Sequence, residues 1–571
     1  MSGFFEQLDA ETLQHGGDVE DWVYVPYDQL TDEIGPLSRL DPETTGIVLV
    51  ETSWKGDRRP YHRQKLAITL ANQRHFALEQ ARRGFAVQYI VDTRRYGLVL
   101  AQAIDELGPL TTMEPAEREL RADISELRES GDLEVLPHDG WLTTPEQFRE
   151  SQDEPPWRMD KFYRHVRRDT GILMEDGSPV GGKYSLDIEN RESWSGEPDA
   201  PEPPTFELDD VTADVGEMIA TDFGVHPGKL NLERVPATSE DCEAAWEWAL
   251  SECMEHFGPY EDAMSHESRS IFHTRIAPIL NLHRITPKRV VEDVVELDIP
   301  LNSKEGFIRQ VLGWREFMHH VHRETDGFRD MPEGFDRFDA IETGEAPGDG
   351  GWERWSGKEW PRPKAETVRE DPPELDGGAL PSYLSADTPL PPAYWGEPSG
   401  LRCLDWTVEA VMEEGWTHHI PRLMVLSNIA TLLDVDPREL TDWFWVAFAD
   451  AFDWVVEPNV LGMGSFGLGD LFVTKPYVSG SNYIDKMSDF CADCRFDPAD
   501  NCPLKRLYWA FLERHEDKLA DNNRMNMVMA SMRKRSDATK QRDRRIFEQV
   551  RETLLDGEEL TPEDLTTPDD D

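Results

Sequence analysis

The sequence is poor in cysteine, in lysine and in long apolar runs. Six cysteines in 571 residues are too few for a disulfide scaffold, so clustered cysteines would be more typical of a metal site. The longest apolar stretches, 47–50 and 443–449, are far shorter than the ~20 residues that a bilayer span needs. The first ten residues contain no basic leader. We therefore expect a cytoplasmic protein with no membrane span, signal peptide or transit peptide.

Positive charge is also scarce. The chain has 59 Lys and Arg against 113 Asp and Glu, a formal net charge of −54, and only 15 of the basic residues are lysines. With 38% hydrophobic residues and 18 tryptophans, it nevertheless has enough material for folded cores. Acid spread along the whole chain suggests the hypothesis of a halophilic protein. Such a charge repels nucleic acid, so a DNA-binding face has to be locally basic, and the richest basic stretch is 505–545.

Short apolar runs alternate with amphipathic helical patterns in the first third of the chain, which is typical of a parallel α/β domain. A generic α/β layer without a ligand is the alternative. Further on, the patterns predict helices at 240–257, 261–271, 286–296 and 303–323. The predicted organisation is an α/β parallel-sheet domain over 1–150, an interdomain connector over 151–235, a large all-α domain over 236–340 and 401–535, an acidic Gly/Pro-rich insertion over 341–400, and a charged helix with an acidic tail over 536–571.

Three cysteines lie close together near the end of the all-α part. Cys491 and Cys494 have two-residue spacing, and Cys502 follows, next to Pro503. A fourth ligand would complete a metal centre, and Cys403 is the best candidate, while Cys242 and Cys253 fit a helix core. An iron–sulfur cluster, a structural zinc and inert buried thiols are all compatible with this spacing; the Cys-Pro pair mildly favours the cluster.

Several motifs resemble one known family. The segment Phe307-Ile-Arg-Gln-Val-Leu-Gly-Trp-Arg-Glu-Phe317 looks like the flavin-domain motif of the photolyase/cryptochrome family, although an ordinary amphipathic helix would also explain it. His273-Thr-Arg-Ile-Ala-Pro278, which follows Tyr260-Glu-Asp-Ala-Met264, resembles the helix start that binds the FAD diphosphate there. Segments similar to the prokaryotic iron–sulfur branch, which repairs (6-4) photoproducts, lie at 416–426, 458–463, 475–477, 482–484 and 491–509.

The resemblance covers nearly the whole chain and implies an antenna-binding α/β domain and an FAD-binding helical domain. It also implies a 4Fe-4S cluster on Cys403, Cys491, Cys494 and Cys502, although the loop between the last two looks shorter than is usual in the branch. The acidic insertion before Cys403 is a second departure. The FAD contacts that the resemblance implies are Tyr260, His273, Thr274, Arg275, Gln310, Trp314, Arg315 and Asn459.

The implied activity is light-driven repair of (6-4) photoproducts in UV-damaged DNA, with electron transfer from excited reduced FAD. His418 and His419 would transfer the proton, because imidazole titrates near neutrality, and Tyr477 and Tyr483 would close the lesion pocket. Trp395 and Trp443 would carry electrons to the flavin, since Phe444 would be a poor relay.

Two further expectations concern the antenna and the partners. Asp28, Gln29 and Glu51, near strand ends, would hold an antenna chromophore of the 6,7-dimethyl-8-ribityllumazine type. We expect a monomer whose partner is UV-damaged DNA. The alternatives are a cryptochrome-like blue-light photoreceptor with the same cofactors and no repair activity, and an iron–sulfur DNA-binding module without flavin.

Overall fold

The computed structural model describes residues 3–12, 19–333, 335, 343–344 and 377–565. Most of the predicted acidic insertion and the end of the predicted acidic tail lie outside these described residues. Among the described residues, no helix is both long enough and apolar enough to span a bilayer.

The N-terminal part is built on a sheet of five parallel strands. The strands are β1 (Asp21–Tyr24), β2 (Thr45–Thr52), β3 (Ala86–Asp92), β4 (Leu110–Met113) and β5 (Leu133–Leu136), and their order in the sheet is β3-β2-β1-β4-β5. All four pairings are parallel. Strand β2 is buried along nearly its whole length because helices cover both faces of the sheet. The predicted parallel α/β domain is thus confirmed.

Helices lie between most of these strands along the chain. The long helix Arg63–Arg82 crosses between β2 and β3, and the chain leaves it through Gly84, whose φ of +101° favours glycine. The other helices of this part are Gly3–Thr12, Trp54–Arg58, Tyr96–Leu107, Arg118–Asp123 and Ser125–Ser130, with a 3₁₀ turn at Pro36–Ser38.

The segment 151–235 contains helices that attach it to both sides of the molecule. Met159–Thr170 contributes Phe162 and Tyr163 to the large helical core. Asp210–Asp222 instead contributes Val215 and Ile219 to the core under the sheet. The remaining regular pieces between 145 and 235 are the helix Pro145–Ser151, the strand pair Met174–Glu175 and Ser178–Pro179, and 3₁₀ turns at Val180–Gly182, Asp187–Glu189 and Leu232–Arg234.

The all-α part surrounds one extensive apolar core. Its α-helices are Ser239–Trp248, Met254–Phe257, Ala277–Asn281, Pro287–Glu296, Leu301–Ile308, Glu316–Glu324, Arg402–Glu414, Asn428–Leu432, Pro437–Ala447, Asp453–Val456, Ser481–Met487, Pro503–Arg514, Glu516–Leu519, Asn526–Arg533 and Asp537–Leu555. A 3₁₀ turn at Pro392–Trp395 and a short strand pair, Thr343–Gly344 with Gly378–Ala379, complete the described elements.

Four stretches of these helices are wound as π-helix: Ala249–Cys253, Arg309–Arg315, Pro421–Ser427 and Glu457–Gly464. Three of them coincide with the motifs at 307–317, 416–426 and 458–463. Because π-helical segments are rare and concentrate at functional sites, this coincidence indicates a candidate functional site in the space between these helices.

The helix predicted over 261–271 is wrong. The chain there forms turns, and Ile271 has a φ of +46° that no α-helix contains. The reason is that donors of this segment bind a distant carboxylate. The Ser265 hydroxyl donates to Asp489 at 2.6 Å, and the His266 amide donates to the same carboxylate at 2.9 Å. These bonds offer the backbone an alternative to helical hydrogen bonds.

Candidate functional site

A cavity of about 650 Å³ opens beside the motif that begins at His273. Hydroxyls from Ser268, Ser270 and Thr274 line it, together with the guanidinium groups of Arg269 and Arg275. The turn conformation of 261–276 exposes these groups toward the cavity, because a regular helix would direct most of them away from one another.

Aromatic and acidic side chains also line this cavity, among them Trp406, Trp416, Glu413 and Glu414. Arg275 lies 4.2 Å over the ring of Trp416 and forms a 2.7 Å ion pair with Glu414. Burial lowers the pKa of Arg275, although the charge of Glu414 opposes that shift. The volume is in the range of ligand cavities, the hydroxyl and guanidinium groups suit phosphates, and the aromatic wall suits a flat ring. The residues present therefore fit an FAD.

Only part of the predicted FAD set lines this cavity. Thr274 and Arg275 do, whereas Tyr260 packs on Phe272 and Asn459 donates to Val455 of its own helix at 2.8 Å. Gln310 donates to Glu261, and Trp314 meets the edge of Phe317. The FAD roles of these four residues stay predictions.

Arg315 is also outside the cavity. Its guanidinium lies 4.3 Å over the ring of Trp141 and 5.2 Å over that of Trp454, and it forms an ion pair with Glu316. Arg315 thus contacts the α/β side of the molecule through Trp141, a contact that the helical pattern of 307–317 could not reveal.

Sequence reasoning missed several groups near the cavity. Ser268, Arg269 and Ser270 precede the His273 motif directly, so the run of hydroxyl and guanidinium groups was the available signal. Arg422 and Asp450 form a bidentate ion pair at 2.9–3.0 Å, and nothing in the sequence spacing indicated that pairing.

The predicted histidine pair is part of a group of three imidazoles. His273 stacks on His418, with ring centroids 4.1 Å apart and planes 15° apart, and the His419 ring lies 5.4 Å from His273. His273 therefore faces the predicted histidine pair and does not line the cavity next to it. Burial lowers the pKa of His273 to about 3 and of His419 to about 4, and lowers that of His418 well below its usual value, so all three rings are neutral at pH 7.

A carboxylate and a phenol adjoin the exposed side of this group. The side chain of His419 is 41% exposed, and its Nε2 is 4.0 Å from an oxygen of Asp262. The Tyr483 hydroxyl donates to Asp262 at 3.4 Å. Burial, with the charges of Glu261 and Asp187, raises the pKa of Asp262 to about 6. The structure thus brings His418, His419 and Tyr483 together as predicted neighbours.

Charged groups of both signs act on the hydroxyl of Tyr477. Burial and the charge of Asp187 raise its pKa, while Arg158, Arg191 and Arg524 act in the opposite direction. These three arginines come from distant parts of the chain, yet all are close enough to influence one hydroxyl.

Ion pairs neutralise much of the predicted basic stretch at 505–545. Arg506 and Arg535 both pair with Asp543, and Arg514 pairs with Asp434. Arg533 and Arg544, each about half exposed, pair with glutamates of neighbouring helices. These ion pairs join the helices Pro503–Arg514 and Asp537–Leu555 to their surroundings, and they reduce the positive charge of the stretch. Arg524 is the member that acts on Tyr477.

The four predicted cysteine ligands surround one small apolar cavity. Cys403, Cys491, Cys494 and Cys502 all line it, with Leu401 and Phe490 among the apolar walls. Burial raises the pKa of Cys403, and the other three thiols raise it further, which requires all four to be close. Cys242 and Cys253 are buried elsewhere, and burial raises the pKa of Cys242 to about 12.

The two predicted electron carriers are in contact. The Trp395 and Trp443 ring centroids are 6.4 Å apart, and the rings meet edge to face. Trp443 is fully buried and Trp395 is partly exposed, so the pair leads from the core toward the surface. Phe444 touches Trp443 from the other side, with centroids 5.1 Å apart.

A second cavity, of about 800 Å³, lies at the carboxyl ends of the strands in the α/β domain. Glu51 lines it and is held by two bonds from Arg74, at 2.6 and 2.9 Å. Asp28 and Gln29 do not line it, because both bind the loop after β4: Asp28 accepts from the Ala116 amide at 3.1 Å, and Gln29 donates to the carbonyl of Glu114 at 3.0 Å. Their antenna role stays a prediction.

Comparison with known proteins gives consistent matches. A family model described as "Deoxyribodipyrimidine photo-lyase-related protein" matches residues 23–234. The (6-4) photolyase of Agrobacterium fabrum is 30% identical over 534 residues, which cover 90% of this chain and 96% of that protein. A bacterial class III photolyase from Agrobacterium tumefaciens shares the fold, with a TM-score of 0.52 at 14% identity, over 94% of this chain and 98% of that chain. An archaeal photolyase from Sulfolobus tokodaii, solved with two FAD molecules, has a TM-score of 0.48 at 13% identity, over 82% of this chain and 87% of that chain.

The sequence match to the Agrobacterium fabrum protein runs through nearly the full length of both chains, and the predicted architecture of a parallel-sheet domain with a large helical domain is present. The chain therefore belongs to the photolyase family, among the deoxyribodipyrimidine photolyase-related proteins.

Proposed function

We propose that the protein repairs (6-4) photoproducts in UV-damaged DNA with light. The observation that carries the proposal is the neutral pair His418 and His419 next to the FAD-sized cavity. Trp416, two residues before His418, lines that cavity, and Thr274, which follows His273, lines it as well. A relative that matches nearly the whole chain is named a (6-4) photolyase.

FAD, when bound, would supply the light-driven electron for the reaction. Ser268, Ser270 and Thr274 would bind its phosphates through their hydroxyls, and Arg269 and Arg275, which also pair with Glu413 and Glu414, would donate hydrogen bonds to them. Glu414 holds Arg275 in place through the 2.7 Å ion pair, so the guanidinium is already oriented toward the cavity.

His419 would accept the proton that moves with the hydroxyl group of the lesion and return it later in the reaction. Its ring is neutral, partly exposed and backed by Asp262, so one ring nitrogen can accept a proton while the carboxylate stabilises the resulting charge. His418 is buried behind it and limits the positions that the ring of His419 can take.

DNA would meet the protein around Tyr477. Arg158, Arg191 and Arg524 all act on this hydroxyl, alongside Asp187, and would supply the guanidinium groups that contact DNA phosphates in a chain of net charge −54. Phosphates are attracted to such groups, and an extruded lesion would then find Tyr477 and Tyr483 at the opening.

The four cysteines would hold a 4Fe-4S cluster. A single zinc with 2.3 Å bonds needs thiolate sulfurs about 3.8 Å apart. Among the described residues, the sulfur atoms do not form a group with all members within 4.8 Å of one another, while His273, His418 and His419 do. The wider spacing around an apolar cavity supports a cluster over a single ion.

The second cavity would hold the antenna, with a lumazine of the 6,7-dimethyl-8-ribityllumazine type as the proposed chromophore. Tyr27, Tyr96, Trp445 and Phe452 provide aromatic surface there, and the buried Lys55 is next to Glu117. Aromatic walls with a few polar groups are typical of a site for a flat heterocycle.

Illumination of the reduced, flavin-loaded protein with an oligonucleotide that carries one (6-4) photoproduct tests the proposal. In molar salt we expect restoration of the two bases, detected by chromatography of the digested product. A His419→Asn variant should lose repair while it retains flavin, whereas His165→Asn, at a partly exposed histidine on another helix, should repair normally. Intact lesion after exhaustive illumination of the flavin-loaded protein would contradict repair and favour the photoreceptor alternative.

A further inference from the structure

The group of three histidines contains more ligand atoms than the proposed proton transfer uses. One ring nitrogen from each of His273, His418 and His419 lies within 4.8 Å of the other two. Among the described residues, His273 Nε2 and His418 Nδ1 are buried without a hydrogen-bond partner. Two buried, unsatisfied nitrogens on rings of the same group are unusual, because such atoms cost free energy unless they bind something.

The chemistry of these atoms suits a metal ion of intermediate softness. Neutral imidazole is a good ligand for Zn²⁺, Ni²⁺ and Cu²⁺, and each of the three rings offers one ring nitrogen to the group. Three histidine ligands with the remaining positions left to water are a known arrangement for such ions.

We propose that His273, His418 and His419 form a binding site for one divalent transition-metal ion of the Ni²⁺ or Zn²⁺ class, and that the bound ion inhibits repair. The binding does not depend on the proposed function, whereas the inhibition rests on it. A coordinated nitrogen has no lone pair left to accept a proton, so an ion on His419 blocks the step assigned to that ring.

The ligand atoms have to move slightly to close on an ion. Bonds of about 2.0–2.1 Å require nitrogens roughly 3.3 Å apart, so the rings draw together from their present spacing and His273 tilts out of its parallel stack with His418. No hydrogen bond within the described residues holds His273 Nε2 or His418 Nδ1 in its present position. The 41% exposure of the His419 side chain provides the entrance.

Titration of the cofactor-loaded protein with NiCl₂ in the dark, followed by calorimetry, tests the binding. We expect one Ni²⁺ per chain. His273→Phe preserves a flat ring stacked on His418 but removes the ligand nitrogen, and should weaken binding by more than about tenfold. His165→Phe removes a histidine outside the group and should leave the affinity unchanged. Equal affinity in wild type and His273→Phe, or no binding by the wild-type protein, overturns the proposal.

X-ray absorption at the nickel edge of the wild-type complex gives a measurement that does not depend on any variant. Three imidazoles around the ion are expected, and fewer than three contradict the site. An unchanged visible spectrum of the protein during the titration excludes nickel binding at cysteines released from the cluster.

The inhibition is tested by the repair assay at increasing Ni²⁺. The repair rate should fall in proportion to the occupancy measured by calorimetry and recover after addition of EDTA. Full occupancy without any slowing overturns the inhibitory role. Absence of repair under every condition would contradict the proposed function and leave the binding result standing, so the two failures are distinguishable.

Discussion

An added methyl group at Gly400 should loosen the packing of the C-terminal segment. The φ of Gly400 is +80°, and a Cβ there would lie 2.2 Å from the carbonyl oxygen of Leu560, in the segment that follows the last helix. The Leu560 amide donates to the Ser399 carbonyl at 3.0 Å, and its side chain is fully buried. Arg495, next to Cys494, donates to the same Leu560 carbonyl at 3.2 Å. The C-terminal segment is therefore fixed against the loops that carry the cysteine site.

The cost of Gly400→Ala follows from this geometry. The left-handed backbone costs an alanine about 1–2 kcal/mol. The Cβ also has to gain about 1 Å of clearance from Leu560, which breaks the bond to Ser399, and a hydrogen bond of this kind contributes about 0.5–1.5 kcal/mol. The backbone cost is shared with an alanine at Gly396, so the change specific to the C-terminal segment is the lost hydrogen bond, about 0.5–1.5 kcal/mol, which corresponds to roughly 2- to 13-fold faster exchange of the Leu560 amide.

Hydrogen exchange of the native protein, followed by mass spectrometry of a peptide that contains Leu560, measures this change. Gly396→Ala is the matched control, because Gly396 has a φ of +107° but a Cβ there would meet nothing within 4 Å. Its Leu560 exchange should stay within about threefold of wild type. If Gly400→Ala leaves the Leu560 amide as protected as the control does, the packing of this segment against Gly400 is not what holds it.

Four other predictions rest on single groups. Trp443→Phe should slow photoreduction of the flavin under blue light, because it removes the inner partner of Trp395, and with no hydrogen bond lost at the Trp443 indole the fold should be retained; an unchanged rate removes this tryptophan from the path. Burial raises the pKa of Asp28 to about 6, so stability is lost as the pH rises from the unfolded value of 3.8 to 6; Asp28→Asn should therefore raise the melting temperature at pH 8 and have little effect below pH 3.8, and equal shifts at both would refute this. Cys491→Ser should reduce bound iron and the visible absorption of the cluster, whereas Cys242→Ser should not; retention of all four irons would exclude Cys491 as a ligand. The melting temperature should rise steeply between low and molar KCl, because salt screens the net charge of −54; independence from salt would contradict halophilic adaptation.

Features that depend on neighbours in the chain were predictable. The alternation of apolar strands and amphipathic helices over 45–110 yields the parallel sheet, because strand and helix periods are local properties of the backbone. The spacing of Cys491, Cys494 and Cys502 placed three thiols at one centre, and Cys403 joins them as expected. Where local hydrogen bonds compete with helix formation, prediction failed: the pattern at 261–271 is helical, but Ser265 and His266 bind Asp489 instead.

The amino-acid sequence by itself determined the acidic surface, the α/β and helical parts, the cysteine centre and the family motifs, since each of these is a property of composition or of short spacing. Only the tertiary structure decided which side chains meet. Packing places His273 on His418 and draws Arg315 between Trp141 and Trp454, away from the FAD-sized cavity. These contacts join residues far apart in the chain, and their geometry depends on how whole helices pack against one another, which periodicity along a single helix does not specify.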